Sequence, residues 1–444
     1  MNNNFRVVRV CIYSPNKIEQ LYVENNLDAM TFDEQLARYQ QENFIMPGSW
    51  SSAMNQLGNE CIDLLLNARL MQERWCRENG ITVNFADKNW MYQVLCAYLR
   101  IYNPDVLFFY SGVFTWFSKQ QRAELRKKCR DLKLITGLWG DELTQYANYK
   151  RAFSDVDLIF TNTEKTRGEI REAGIVAEVL GNCFDDVIAR QEFIPSEEVE
   201  ESYHTVFLGS TGFGCDLHRG RYLKILGMMQ QTDMKIWTEE PDQKKKKKRK
   251  SMVENIIRTP FRKSIMGGLN SVPTPHLASL KMTRFTSWKF SKYIDEVIAR
   301  REGLPIRGEF FQGREKISSL FPQRCSGNLD SWLDFLEVMK RSKYVFNAHR
   351  DEVSDYSNIR VFEATGVGSC LISDRGAEMK NFFEPDSEIV TFDSVDEAVE
   401  KIEYLDNHEE VRREIAIAGQ KRTLRDHTVY KRCEKIHEVV SKLI

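Results

Sequence analysis

The ten cysteines of this sequence never fall in a Cys-x-x-Cys pair. Scattered single thiols argue against a zinc site or a disulfide framework and for a reducing compartment. No stretch stays apolar over the roughly 20 residues that a membrane-spanning helix needs. Asn2-Asn3-Asn4 stands before a strand-like run rather than a long apolar one, so no signal peptide and a cytoplasmic location are expected. With 444 residues, 42% hydrophobic and 29% charged, the chain should fold into two or three globular domains. The net charge of −1 hides an asymmetry, because residues 243–301 carry 16 Lys/Arg against 3 Asp/Glu.

The stretch from Ser354 to Gly368 is the most informative. Asp355 and Ser357 precede an apolar run as helix N-cap residues, and Gly366 or Gly368 can supply a left-handed stop. Lys343-Tyr344-Val345-Phe346-Asn347 reads as a strand before it, and Ser369-Cys370-Leu371-Ile372-Ser373 as a strand after it. Strand, loop, helix and strand make a crossover unit of a parallel sheet. Its loop lies at a strand's carboxyl end, where open α/β sheets bind ligands. The free N–H groups opening the helix suit an anion. Asp355 and Glu363 put one carboxylate on the loop and another about a turn into the helix.

Earlier in the chain, apolar runs at 5–13, 60–66, 106–110, 133–140, 156–160 and 177–180 alternate with helical patterns. This spacing predicts a parallel, doubly wound domain over residues 1–197. The acidic piece from Pro195 to Glu201 reads as a linker, and the pattern restarts with Thr205-Val206-Phe207-Leu208-Gly209 to give a second domain over 203–444. The turn from Ser210 to Gly220 then leads into a helix from Arg221 to Met229. Glycine and serine after the first strand of such a domain let backbone approach a phosphate closely. A lone Gly-x-Gly is also what a plain turn looks like.

The second domain resembles the CgeB-like glycosyltransferases. The pieces that carry the resemblance are Phe346-Asn347, Asn358-Ile359-Arg360-Val361-Phe362-Glu363-Ala364-Thr365-Gly366, Phe383-Glu384-Pro385 and Glu400-Lys401-Ile402. They continue in order through Ala418-Gly419-Gln420-Lys421-Arg422 to His427-Thr428 and Tyr430, with Val429 as one departure in spacing. The resemblance implies an α/β fold of the GT-B kind, two facing Rossmann-like domains with the donor in the second. The C-terminal helix, 428–444, would pack back on the first domain. It further implies transfer of a sugar from a nucleotide-diphosphate sugar to an acceptor hydroxyl on a glycan, a lipid-linked molecule or a protein. A nonhydrolysing nucleotide-sugar epimerase and a non-catalytic surface-assembly protein with a degenerate GT-B fold stay open as alternatives.

Such a transfer needs fixed donors aimed at the departing diphosphate. Candidates are the backbone at Gly209, Ser210, Thr211, Asn358 and Ile359, the side chains of Arg360, Arg219 and Arg221, and Asn347 at the strand end. An ionised carboxylate only accepts hydrogen bonds, so Glu363 suits the two hydroxyls of a ribose, the role the resemblance implies for it. By the same likeness Asp355 faces the donor sugar and the reaction retains anomeric configuration. Asp141 is a candidate acceptor base that reads first as a helix N-cap, and His349 could equally reach a phosphate or be a loop histidine. With no Asp-x-Asp motif after a strand, neither metal nor cofactor is expected.

The segment 240–325, with Lys244-Lys245-Lys246-Lys247-Lys248-Arg249-Lys250 and later Trp288 and Phe290 among basic residues, reads first as an exposed insertion in the second domain. The second reading is peripheral attachment of 243–301 to an anionic membrane, on the inner face of the plasma membrane. A nucleic-acid patch comes last.

Overall fold

Short β-branched and aromatic runs, each followed by an amphipathic segment, are stable as parallel strands covered by helices on both faces. The computed structural model describes residues 4–42, 47–140, 153, 155–186, 200–215, 218–240, 311, 313–327, 329, 331–349 and 358–444. The first domain runs β1 (Arg6–Cys11), α1 (Pro15–Asn25), α2 (Phe32–Glu42), α3 (Pro47–Gln56), β2 (Glu60–Leu65), α4 (Arg69–Glu78) and α5 (Trp90–Tyr102). It continues with β3 (Val106–Phe109), α6 (Lys119–Lys128), β4 (Leu134–Trp139), β5 (Leu158–Thr161), α7 (Glu164–Glu172) and β6 (Ala177–Val179). The second domain has β7 (Tyr203–Leu208), α8 (Arg219–Gln231), β8 (Lys235–Trp237), α9 (Ile317–Leu320), β9 (Cys325–Ser326), α10 (Trp332–Lys340) and β10 (Ser342–Asn347). Then follow α11 (Ile359–Gly366), β11 (Cys370–Asp374), β12 (Val390–Phe392), α12 (Val395–Asp406), α13 (Glu409–Asp426) and α14 (Val429–Ser441).

Each domain holds one six-stranded, all-parallel sheet, ordered β2-β1-β3-β4-β5-β6 in the first and β12-β11-β10-β7-β8-β9 in the second. The order reverses once in each sheet, between β1 and β3 and between β7 and β10. A crevice at the carboxyl ends of the strands belongs at each reversal.

The first sheet also carries a buried ion pair. Arg9 and Asp63 are register partners on β1 and β2, and Arg9 Nε donates to Asp63 Oδ1 at 2.7 Å. The Arg9 guanidinium also lies over Trp50 (4.8 Å) and near Tyr110 (5.7 Å). Asp63 Oδ2 accepts from Gln40 (3.2 Å) and from the Ser51 hydroxyl, which fastens α2 and α3 to the sheet. Full burial of both charges is tolerable only because every partner is present.

The chain ends on the first domain. Val429, Cys433, Ile436 and Val440 of α14 are buried in one cluster with Trp50 and Met54 of α3. The His437 ring stacks on Phe5. Just before α14, the Phe184 N–H donates to the His427 carbonyl (2.8 Å) and the Val429 N–H to the Phe184 carbonyl (3.1 Å). Arg432 donates to the Asn182 carbonyl from Nε (3.1 Å) and Nη2 (2.6 Å).

Two expectations need correcting. The insertion does not run to 325, because Phe311 and Ile317 lie in the second domain's core and Cys325–Ser326 pair with β8 as an edge strand. Polar residues around these few apolar anchors masked them; the basic run itself lies outside the described residues. At α11 the N-cap position is Asn358, without a side-chain cap, rather than Asp355 or Ser357. Gly368 (φ 86) supplies the left-handed stop, whereas Gly366 stays helical. A Cβ on Gly366 would lie 2.5 Å from the Phe184 ring, so this glycine serves close packing of α11 on the segment that follows β6.

His427 sits at this junction as a neutral imidazole. Nε2–H donates to the Phe382 carbonyl (2.9 Å), and Nδ1 accepts from Arg432 Nη2 (3.1 Å). Burial first, and then the Arg432 charge, lower its pKa to about 4. The unfolded chain takes up this proton near the ordinary value of about 6.5, so the stabilisation is complete above that pH and is lost as pH falls toward 4. Urea unfolding should show a loss of about 2 kcal/mol at about pH 5 relative to pH 7.5 from this group. His427→Gln should flatten that interval, and an unchanged pH slope in the variant would remove His427 as its source.

Candidate functional site

The loops after β7 and β10 flank the reversal of strand order in the second sheet. After β7 the chain turns through Gly209 (φ 132) and Gly212 (φ 83). A side chain at Gly212 would collide with His218, 2.3 Å away. A Cβ on Gly209 would meet only Arg360 Nη2, at 4.0 Å, so the Arg360 guanidinium faces bare backbone across the crevice. Ser210 is exposed, and its hydroxyl accepts from the Gly212 N–H (3.2 Å). Thr211 is buried, and its hydroxyl donates to Glu240 Oε1 (2.5 Å). Glu240 in turn accepts from the N–H (2.9 Å) and hydroxyl (2.7 Å) of Ser318 at the start of α9. Thr211 therefore anchors the loop from beneath, and Ser210 is the hydroxyl left at its surface.

Arg219 and Arg221 open α8, both half-buried. Arg221 Nε donates to the Ala348 carbonyl (2.8 Å), which ties α8 to the loop after β10. Asn347, the last residue of β10, is buried; its amide donates to the Ser373 hydroxyl and accepts from Asn358 Nδ2, each at 2.9 Å.

His349 follows two residues later, also buried. Its backbone N–H donates to Asp374 Oδ1 (3.1 Å) and Oδ2 (3.0 Å), and its Nδ1 lies 2.6 Å from Oδ1. Lys224 Nζ of α8 donates to Oδ2 (2.6 Å). The Asn358 N–H, at the mouth of α11, points at His349 Nε2 (3.4 Å). These partners assign the Nδ1–H tautomer, with Nε2 as acceptor. Burial alone would push the Asp374 carboxyl up, but His349 and Lys224 outweigh it and hold that carboxyl well below the usual range.

α11 begins at exposed Ile359 and carries Arg360 and Glu363. Arg360 lies over the Phe335 ring (5.1 Å) and 2.8 Å from Glu363 Oε2. Glu363 is the fifth helical residue and is only 4% exposed, so it does not stand open at a cleft. Trp332 Nε1–H donates to its Oε1 (2.6 Å). Among the described residues Oε2 has no aligned hydrogen-bond partner, so its contact with Arg360 is ionic and leaves it acceptor capacity.

The structure thus gathers Gly209, Arg221, Asn347, His349, Asn358, Ile359 and Arg360 around one crevice, with Glu363 buried behind Arg360. Asp141 and Asp355 lie outside the described residues. Lys224, Trp332, Ser373 and Asp374 join the constellation without having been read from the sequence. A charged residue ending the apolar strand Cys370–Asp374, and Lys224 three positions after Arg221 on one helix face, were the available signals. A separate cavity of about 410 Å³, lined by Arg375, Met379, Lys380, Pro385 and Thr391, lies beside the end of β11 and the strand β12.

HepE of Anabaena, solved in complex with UDP-glucose, matches with a TM-score of 0.51 and 10% identity, over 99% of this chain and 100% of that one. This protein has the GT-B fold. A glycosyltransferase of Rickettsia africae covers 99% of both chains at 10% identity (TM-score 0.49). Sucrose-phosphate synthase of Thermosynechococcus elongatus covers 99% and 98% at 8% identity (TM-score 0.49). Within the second GT-B domain, residues 297–438 match the sequence model of the glycosyl transferase-like family. No curated protein matches the sequence.

Trp332→Phe should leave Glu363 Oε1 without its buried donor and lower unfolding free energy by about 1–3 kcal/mol in urea. Because the two residues share one bond, Trp332→Phe combined with Glu363→Gln should cost less than the sum of the single changes. Strict additivity would mean that the contact carries no energy.

Proposed function

We propose that this GT-B protein is a glycosyltransferase that moves a sugar from a nucleotide-diphosphate sugar to an acceptor hydroxyl. The observation that carries the reading is Arg360, rooted in the first turn of α11 and facing Gly209 across the β7/β10 crevice. A cation, a helix N-terminus and side-chain-free backbone converge there, the combination a diphosphate leaving group requires. The family match over 297–438 and the fold shared with HepE, whose structure holds UDP-glucose, support it.

In this reading the diphosphate lies between Gly209 and the N–H groups opening α11, with Arg221 behind it. The ribose lies toward Glu363 and Trp332. Asp355 is assigned to the donor sugar, with a retaining outcome and no metal, on the CgeB-like resemblance alone. The acceptor belongs against the first sheet's own reversal, where the loop after β3 turns on Ser111 (φ 57) and Gly112 (φ 73). Among the described residues no helix is long and apolar enough to cross a membrane. For a lipid-linked acceptor, attachment to an anionic surface is assigned to the basic segment 243–301 on its charge alone.

A thermal-shift screen of nucleotide sugars identifies the donor, because a ligand that binds only the native state raises the melting point. Arg360→Ala should then lower kcat about 10²–10³-fold with a smaller change in KM, since the charge it meets grows as the diphosphate departs. An unchanged kcat with a raised KM would make Arg360 a ground-state binder. Turnover of the donor without any acceptor would favour epimerisation over transfer.

A further inference from the structure

We propose that the donor diphosphate binds together with a proton, carried on His349 Nε2 and positioned by Asp374 and Lys224. The inference rests on the donor-site reading above and concerns how that site meets its most charged substrate group.

His349 cannot turn its ring without cost. Its backbone N–H and Nδ1 both engage Asp374, and Lys224 holds the same carboxylate from α8. Nε2 is therefore the one ring atom free to exchange partners. It accepts, at a long 3.4 Å, from the Asn358 N–H at the opening of α11. An N–H in that place is the group a phosphate oxygen would claim. Once claimed, it leaves Nε2 as an unprotonated acceptor beside another acceptor, which is repulsive. A proton on Nε2 reverses this, turning the ring into a charged donor aimed where the phosphate lies.

The surrounding charges favour the change. Asp374 from β11 faces the ring directly, and Lys224 offsets its charge from α8. Arg221, on the same helix, is bound to the Ala348 carbonyl beside His349. From α11 the backbone of Asn358 faces Nε2. With Asp374 and Lys224 cancelling, an incoming diphosphate tips the balance toward imidazolium, because opposite charge nearby favours the charged form. The one bond made at His349 is Nε2–H: its proton comes from solvent on binding and returns to solvent when the nucleoside diphosphate leaves. Asp374 is a positioning residue, because it acts through the imidazole.

The test is calorimetric titration of the full chain with UDP, GDP, ADP and dTDP in turn, at about pH 7.5. Repeating each titration in two buffers of different ionisation enthalpy counts protons exchanged. The expected result is uptake approaching one proton with the nucleotide that binds, and an affinity that falls up to about tenfold per unit as pH rises from about 7.5 to 8.5. His349→Gln should bind more weakly, with no uptake and a flat pH profile over that interval. Asp374→Asn, which keeps the ring but not its anchor, should take up clearly less than the wild type. Binding by the wild type without proton uptake overturns the inference while leaving the donor site intact, and this measurement needs no variant to fold. Equal uptake by wild type and His349→Gln overturns it too. If none of the four diphosphates binds, the donor-site reading fails and this inference with it.

Discussion

A carboxylate taken out of water must be surrounded by donors, and Asp374 is the point where this constraint shapes the second domain. Three elements meet on it: β11, which carries it; the loop after β10, through His349; and α8, through Lys224. Removing any one donor would leave the charge short of partners, so these three walls of the crevice hold their positions together. The amide chain from Ser373 through Asn347 to Asn358 runs alongside and fixes where α11 begins. Arg360 then reaches Gly209 because the start of its helix is already set. The site is thus built on the sheet, with the loops holding secondary positions.

Such convergence is what a linear reading misses. Asp374 meets Lys224 across 150 residues and His349 across 25, and no local period announces either contact. What the sequence does announce is repetition of strand and helix, because apolar spacing is a local property. The strands read at 343–347 and 369–373 and a short helix between them were legible for that reason. The helix start, however, was placed at Asp355 or Ser357, its stop was left open between Gly366 and Gly368, and β8, β9 and β12 went unread. Position along α11 was legible for Glu363 as well, but its surroundings were not. The indole that covers it arrives from Trp332, 31 residues earlier. Gly366 illustrates the same limit: a helix end and a site of close packing look alike until Phe184 is seen against it.

The two domains meet at contacts of unequal strength. At the base, α14 buries Cys433, Ile436 and Val440 against α3, and nearly buried Arg432 holds the Asn182 carbonyl. At the mouth, the Glu378 carboxylate accepts from the N–H groups of Glu164 (3.0 Å) and Lys165 (3.2 Å), which open α7. An exposed carboxylate at a helix N-terminus contributes about 0.3–1 kcal/mol and is screened by salt. Each fully buried aliphatic side chain contributes about 1.5–3 kcal/mol. The coupling between domains therefore lies mostly at the base, away from the crevices that substrates would enter.

This distribution bears on the Arg360–Glu363 pair. The carboxylate offers about four lone-pair positions. One is taken by the Trp332 indole, and the 2.8 Å contact with Arg360 is not aligned as a hydrogen bond. Glu363 thus keeps acceptor capacity, but behind a half-buried tryptophan instead of in open solvent. A ribose that used it would have to move the indole aside and give up part of an existing bond. The net gain from a carboxylate–diol contact would then fall below the roughly 1.5–3 kcal/mol of a charge-assisted bond made at a bare site. Arg360 is held on one side by Glu363 and Met339 Sδ (3.7 Å), but its side chain is 17% exposed and otherwise meets an aromatic face and glycine backbone. Of the two charged side chains on α11, the cation is poised to meet a ligand first, and the carboxylate serves first to hold that cation in place.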